Sequence, residues 1–245
     1  MGETLFISDL HLDAKRPRIV ALFLRFLAQE APRADALYIL GDLFEYWIGD
    51  DMLTHPATAA QLAPLADALA ALSAQGLPVY FQHGNRDFLI GEDFARRCGV
   101  KLLPEAVVVD LYGTPTLIMH GDTLCTDDVA YQELRGMLRN AQWQQQFLAL
   151  PFEERVRQAQ ALRERSAQAM EDKQEYIMDV NAEAVQQALR THGVTRLVHG
   201  HTHRPAVHEL SVDGVPAQRI VLGDWYEQGS LLRCSASGCR LESLG

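Results

Sequence analysis

Five times along this chain a short apolar run stops at residues whose side chains can hold a metal ion. Leu5-Phe6-Ile7 runs into Ser8-Asp9-Leu10-His11, and Leu37 to Leu40 runs into Gly41-Asp42. Val79-Tyr80-Phe81 leads to Gly84-Asn85, Thr116 to Met119 to His120-Gly121-Asp122, and Leu197-Val198 to Gly200-His201-Thr202-His203. Apolar runs of this length, closed by glycine or turn residues, read as buried strands of an α/β sheet. Ligands at the carboxyl ends of such strands lie where open α/β sheets bind. Asp9 and His11 are two apart, so in extended backbone they point to one side. Asp42 is read as the carboxylate shared between two ions, with the other tips around it.

The segments between the tips read as an alternation of helices and strands. Pro17 suits a first helical turn, and Ile19, Val20, Leu22, Phe23, Phe26 and Leu27 give the helix after it a wide apolar face. A second helix is expected over about Thr58 to Gln75, stopped by Gly76. Val107 to Leu111 and Thr116 to Met119 predict a hairpin, and Asn181 can cap a helix ending at Gly193. Val207 to Val212, Gln218 to Leu222 and Leu231 to Cys234 read as closing strands. From Asp128 to Met178 the composition turns to Gln, Arg, Glu and Ala with helical periodicity, and Pro151 is expected to divide it into two helical pieces. The expectation is a layered α/β core from 1–127 and 179–245, with 128–178 a helical cap inserted over the site.

Composition bounds the function. The formal charge of −10 over 245 residues makes a nucleic-acid partner a poor expectation, because that affinity comes from many Lys and Arg contacts. Cys98, Cys125, Cys234 and Cys239 form no Cys-x-x-Cys pair, and reduced thiols in a cytosolic protein are expected rather than disulfides. The N-terminal residues show neither a signal peptide nor a membrane-spanning segment.

Asp9, His11, Asp42, Asn85, His120, His201 and His203 together offer oxygen and nitrogen ligands and no thiolate, a set suited to manganese, iron or zinc. One Gly-His-x-His alone would be better read as a polar strand end; five such tips in order are another matter. Two ions about 3.5–4 Å apart can clamp a phosphate, lower the pKa of a bridging water and stabilise an in-line displacement. Hydrolysis of a phosphoester or phosphoanhydride is therefore expected. No Gly-x-Ser-x-Gly elbow or Walker loop competes with it. His83 and His199, inside apolar strand ends, are read as structural hydrogen-bonding groups, and His55, His192 and His208 as surface or packing residues. Asp87 and Asp122 are expected to orient ligand histidines or Arg86. Glu45, Asp50 and Asp51 read as loop charges.

Asp9-x-His11, Gly41-Asp42, Gly84-Asn85-x-Asp87, His120-Gly121-Asp122 and Gly200-His201-x-His203 resemble, in order, the pattern of the calcineurin-like metallophosphoesterases. The resemblance implies a metallophosphoesterase β-sandwich flanked by helices. It implies one metal held by Asp9, His11, Asp42 and His203, and a second by Asp42, Asn85, His120 and His201. Many members have a histidine after the motif asparagine; here it is Arg86. Arginine holds phosphate oxygens but gives up no proton. A leaving group needing no acid, such as the phosphate of a phosphoanhydride, fits that exchange.

Longer strings resemble one branch, the UDP-2,3-diacylglucosamine hydrolase family. They are Gly41 to Asp51, Phe81 to Leu89, His120 to Asp128, Ile177 to Asn181 and His199 to His208. That resemblance implies hydrolysis of UDP-2,3-diacylglucosamine to UMP and 2,3-diacylglucosamine 1-phosphate (lipid X) in lipid A biosynthesis. It implies two Mn2+ ions, and a cytoplasmic protein peripheral to the inner membrane surface. Asp42, Asn85, Arg86 and His201 would be catalytic. Asn85, Arg86, His201, Asp128, Ser166, Met170 and Lys173 would contact substrate, the last three sharing one helix face; Met170 departs from the small polar residue of relatives. Trp143, Phe147, Leu148, Leu150 and Phe152 could line an acyl-chain chamber or simply pack two cap helices. The rival readings are a cyclic-nucleotide phosphodiesterase or nuclease, and an inactive scaffold serving as a binding module. Arg86 and the apolar cap argue against the enzymes, and the filled ligand positions against the scaffold.

Overall fold

A computed structural model describes residues 2–171 and 179–245, with 165–171 described through their backbone alone. In chain order the elements are β1 (Thr4–Ile7), α1 (Pro17–Gln29), β2 (Ala36–Leu40), α2 (Ala59–Ala74), β3 (Val79–Gln82), α3 (Glu92–Cys98), β4 (Lys101–Leu102), β5 (Ala106–Leu111) and β6 (Thr114–Met119). Then come α4 (Val129–Leu138), α5 (Ala141–Leu148), α6 (Phe152–Glu171), α7 (Ala182–His192), β7 (Arg196–His199), β8 (Ala206–Val212), β9 (Val215–Val221), β10 (Gly229–Ser235) and β11 (Gly238–Leu244).

The strands form two mixed sheets. One has the order β11-β10-β1-β2-β3-β4, the other β5-β6-β7-β9-β8. β1, β2 and β3 run parallel, as do β6, β7 and β9. The period-two pattern of each strand sets which layer it feeds. Leu5, Ile7, Leu37 and Ile39 pack outward in the cluster that holds Phe23, Phe26 and Leu69 from α1 and α2. Phe6 and Leu40 turn inward to meet Ile118, Val198 and Ile220 of the other sheet. Leu117, Met119 and Leu197 face Val185 and Leu189 of α7. Three apolar layers thus hold two sheets between helices, the metallophosphoesterase sandwich, and the parallel strands of both sheets deliver their carboxyl ends to one rim.

The helical region after Asp128 differs from expectation by one break. Asn140 starts a new helix there, its side chain accepting from the amides of Gln142 and Trp143, so α4, α5 and α6 make three pieces rather than two. The apolar residues of this region lean on the core. Phe147 is buried in the main cluster, and Trp143, Leu150 and Phe152 pack against it. Phe152 also stacks on His55 at 3.6 Å. Arg155 of α6, buried, donates to Ile48 O (2.5 Å), Leu150 O (3.2 Å) and the Asp51 carboxylate. Asp51 is therefore a tether of α6, and Asp50 accepts from Trp47 Nε1 and from the amides of Gly91 and Phe94 at the start of α3; neither is a free loop charge.

The cysteine expectation is overturned for one pair. Cys234 and Cys239 are directly opposed in the β10–β11 register and form a disulfide, while Cys98 and Cys125 are free and buried. Spacing could not show this, because β11 has a weak strand signal and only the hairpin brings the two thiols together. Among the described residues no helix is long and apolar enough to cross a membrane.

Candidate metal centre

Beyond the strands the tips stay paired. The Asp9 amide donates to Gly41 O (3.1 Å), the His11 amide to Asp42 O (2.9 Å) and the Leu12 amide to Leu43 O (2.9 Å), so two ligand loops travel together past the sheet edge. At five of the seven tips' side chains the turn that aims them inward is a left-handed backbone. Asp9 (φ 56°), His11 (47°), Asp42 (52°), His201 (70°) and His203 (55°) all adopt it, a conformation uncommon for residues with a Cβ. Such residues cost on the order of 1 kcal/mol each or more, and they persist where the surroundings dictate them and function needs them. Gly41 has φ of 85°, and a Cβ there would lie 2.5 Å from the Gly84 amide nitrogen and 2.7 Å from His120 Nδ1. That clearance lets the second and third tips close on one another.

The expected ligands converge. Asp9 Oδ1 lies 3.3 Å from His203 Nε2, and His203 Nε2 lies 3.4 Å from His11 Nε2. Asp42 Oδ2 lies 3.8 Å from both His11 Nε2 and His120 Nε2. Asn85 Oδ1 lies 3.0 Å from His120 Nε2 and 2.9 Å from His201 Nδ1. Atoms bonded to one ion at about 2.0–2.2 Å stand roughly 3–3.5 Å apart, so these separations suit ligation. Asp9 with His11 and His203, and Asp9 with Asp42 and His120, each bring one ligand atom per residue within 4.8 Å of the others. Asp9 Oδ1 is buried with no hydrogen-bond partner, a cost that a cation at this point would offset. These Asp and His side chains thus form a metal-binding type of cluster.

Local bonds aim the rings. His120 Nδ1 lies 2.8 Å from Leu40 O, which leaves Nε2 for the cluster. Asp9 Oδ2 is taken by Ser8 Oγ (2.6 Å) and the His201 amide (2.9 Å), which leaves Oδ1 free. The Arg86 amide donates to Asp42 Oδ1 (2.8 Å), which leaves Oδ2 free.

Electrostatics favour mixed protonation. Burial opposes charge on His120, but Asp42, Asp9 and Asp122 outweigh it and raise its pKa to about 9. Burial raises the Asp9 pKa, but the close approach of His203 and the charges of His120 and His11 hold it well below the ordinary value. Burial, helped by His120, lowers His201 to about 4, and burial lowers His199 to about 3. His199 therefore stays neutral, bonded through Nδ1 to Gly200 O, and His83 Nε2 is bonded to Ile90 O; both are structural, as expected.

The outer groups depart from expectation. Asp87 touches no histidine. Buried, it accepts from the amides of Asp42 (3.2 Å), Leu43 (2.8 Å) and Gly84 (2.8 Å), binding the second and third tips to each other. Asp122 likewise contacts α4, accepting from Tyr131 Oη (3.0 Å) and Arg135 Nε (2.7 Å). Asp128 caps α4 through the Tyr131 amide (3.1 Å). Glu45 is not a loop charge, since its Oε2 lies 3.3 Å from His11 Nδ1. Sequence reading also missed Arg16, Tyr226 and Asp224. Arg16 donates to Leu10 O, His11 O and Trp225 O and lies over the Tyr226 ring. Tyr226 stacks flat on His11, and Asp224 Oδ2 lies 3.7 Å from His203 Nδ1. Their signals are single polar residues outside the ligand motifs, Arg16 five residues after His11 and the other two about twenty residues after His203. Arg86 sits half-buried beside Asn85, its Nε buried without a partner. Ser166 and Met170 lie on α6 with side chains outside those described, and Lys173 lies outside the described residues.

Comparison with known proteins adds the following. The family model of calcineurin-like phosphoesterases matches residues 3–205. A UDP-2,3-diacylglucosamine hydrolase of Stenotrophomonas maltophilia strain K279a is 55% identical, the match covering 98% of each chain. One from Serratia proteamaculans strain 568 is 54% identical over 97% of each, and one from Aeromonas hydrophila subsp. hydrophila is 52% identical over 98% of this chain and 97% of its own.

Proposed function

The chain belongs to the calcineurin-like phosphoesterases, and from that premise we propose that it hydrolyses the pyrophosphate of UDP-2,3-diacylglucosamine, releasing UMP and 2,3-diacylglucosamine 1-phosphate. One observation carries the substrate: relatives named for that activity match end to end at 52–55% identity, the cap region included. That likeness favours this reaction over a cyclic-nucleotide diester, a nucleic acid or an inactive scaffold.

Asp9, His11, Asp42 and His203 would hold one divalent ion, and Asp42, Asn85, His120 and His201 the other. Asp42 Oδ2, equidistant from His11 and His120, supports its place between them. An oxygen- and nitrogen-only set is consistent with Mn2+. Bound ions would supply a water of lowered pKa and would neutralise phosphate charge. The protein's own groups do the rest. Asn85 and His201, 2.9 Å apart, set one side of the phosphate seat. Arg86, with its unpaired Nε, stands beside them to take the charge that grows on the phosphate oxygens. No protein acid is needed if the attacked phosphorus is the one nearer uridine, because the departing group is then a sugar phosphate.

The helices α4–α6 act as a cap. Tyr131 of α4 brings its ring 5.8 Å from that of His201, and Arg139 donates to Gly84 O at 3.0 Å, so the cap reaches the rim of the site. Asp128, Ser166, Met170 and Lys173 would position the substrate. A peripheral seat on the cytoplasmic face of the inner membrane belongs to the same reading, since the diacylated substrate is a membrane lipid.

The test is product analysis. Metal-stripped protein is given UDP-2,3-diacylglucosamine in detergent micelles, with and without Mn2+, beside bis(p-nitrophenyl) phosphate. Mn2+-dependent release of UMP and the lipid phosphate is expected. Cleavage of the small diester alone would keep the two-metal reading and remove the lipid substrate.

A further inference from the structure

His11 presents two nitrogens to two different surroundings. Nε2 faces the cluster, 3.4 Å from His203 Nε2 and 3.8 Å from Asp42 Oδ2. Nδ1 faces away from it and is buried without a hydrogen-bond partner, its near neighbour being Glu45 Oε2 at 3.3 Å, close enough that a small turn of the carboxylate would make the bond. The ring is 2% exposed and lies flat against Tyr226, 5.4 Å between centroids and 5° between planes, so it has little freedom to turn. A neutral imidazole carries one proton. If Glu45 draws that proton to Nδ1, Nε2 is left with its lone pair aimed at the cluster.

Glu45 is itself held from two directions. Its amide donates to Leu12 O at 3.2 Å, which ties its backbone to the loop that carries His11. Its other carboxylate oxygen, Oε1, accepts from Arg163 Nη2 at 2.5 Å. Arg163 belongs to α6 of the cap, and its guanidinium also lies over the Tyr46 ring at 5.6 Å. The pair is half-buried, with the Glu45 side chain 17% and the Arg163 side chain 38% exposed.

We infer that Glu45 is a positioning residue that selects the tautomer and orientation of His11, and that Arg163 makes this setting depend on the seated cap. The inference rests on the reading of His11 as a metal ligand. Its consequence is that one face of α6 does more than cover substrate: it reaches through a carboxylate to the first tip of the metal site. Carboxylates bonded to the outer nitrogen of a ligand histidine typically contribute about 10–100-fold in metal affinity.

The experiment is metal titration of the full chain, Mn2+ by calorimetry on wild type, Glu45→Ala, Glu45→Gln and Arg163→Ala, with circular dichroism as a check on folding. Wild type is expected to bind two ions. Glu45→Ala should weaken one of the two by about 10–100-fold and leave the other near wild type. Glu45→Gln should recover most of that loss, because its amide oxygen still accepts from Nδ1–H. Arg163→Ala should weaken the same ion by a smaller factor. Wild-type affinity in Glu45→Ala, even with activity lost, would overturn the positioning role, and wild-type affinity in Arg163→Ala would overturn the link to the cap. Failure of the wild-type chain to bind any ion would instead sink the metal reading beneath both. If Glu45→Ala does not fold, nitrogen NMR of the metal-free wild-type chain, at a pH where the ring is neutral, decides: a proton on His11 Nδ1 supports the inference, a proton on Nε2 overturns it.

Discussion

Asp42 is the residue on which the site turns, because one carboxylate oxygen stands 3.8 Å from histidines of both proposed ligand sets. Asp42→Ala should abolish binding of both ions and all turnover; two ions retained in a metal analysis would contradict the sharing. Arg86→Ala should leave folding and metal content unchanged and lower kcat/KM by about a hundredfold, in line with the loss of one preorganised donor. Wild-type turnover would remove its role. Protons should compete with metal. His120 is raised to about 9, so near pH 7 the metal-free protein holds a proton there that an ion must displace. His201, lowered to about 4, is already neutral. Affinity should therefore rise with pH up to about 9 and level off above it; calorimetry in buffers of differing ionisation heat should show proton release, and equal affinity at pH 6 and 9 would refute it. The residues proposed as ligands were legible because each follows a strand end and most stand beside a glycine. Glu45, Asp87 and Arg16 were not, since what they hold depends on loops that meet only in space. Arg163 and Glu45 are 118 residues apart.

At the scale of elements, strands and long amphipathic helices could be read from periodicity, whereas breaks and short pieces could not. α1 begins at Pro17 as expected, and α7 runs from the Asn181 cap to Gly193. α3 has only 7 residues, too few to set up a period. The break at Asn140 rests on one side chain bonding two amides, a signal overridden by the helical composition around it. The cap aromatics show why composition misleads about purpose. Phe147 is 4% exposed within the main core, so it packs rather than lines an open chamber. Phe147→Ala should cost about 3 kcal/mol of stability, read as a lower denaturant midpoint, with little change in KM. A raised KM at unchanged stability would return it to the substrate side. Trp143 is half-buried and stacks on Phe147.

Seen whole, the molecule is two sheets joined by a shared apolar layer, with helices on both outer faces. The β10–β11 hairpin closes one edge of the first sheet and carries the disulfide. Thiol labelling of the denatured, unreduced chain should find two free cysteines, Cys98 and Cys125; four would restore the expectation from spacing. The rim of the sandwich has a consequence of its own. Asp9, His11, Asp42 and Asn85 follow strands of one sheet, while His120, His201 and His203 follow strands of the other. Any ion shared among them is a rivet across the seam. It grips only the folded arrangement, so its binding free energy adds to resistance against unfolding, by about 2.7 kcal/mol at a hundredfold excess over Kd for each site. Metal supply would then govern how long the protein survives in the cell as well as how fast it works, and a starved cell would lose the enzyme to proteolysis as well as to idleness.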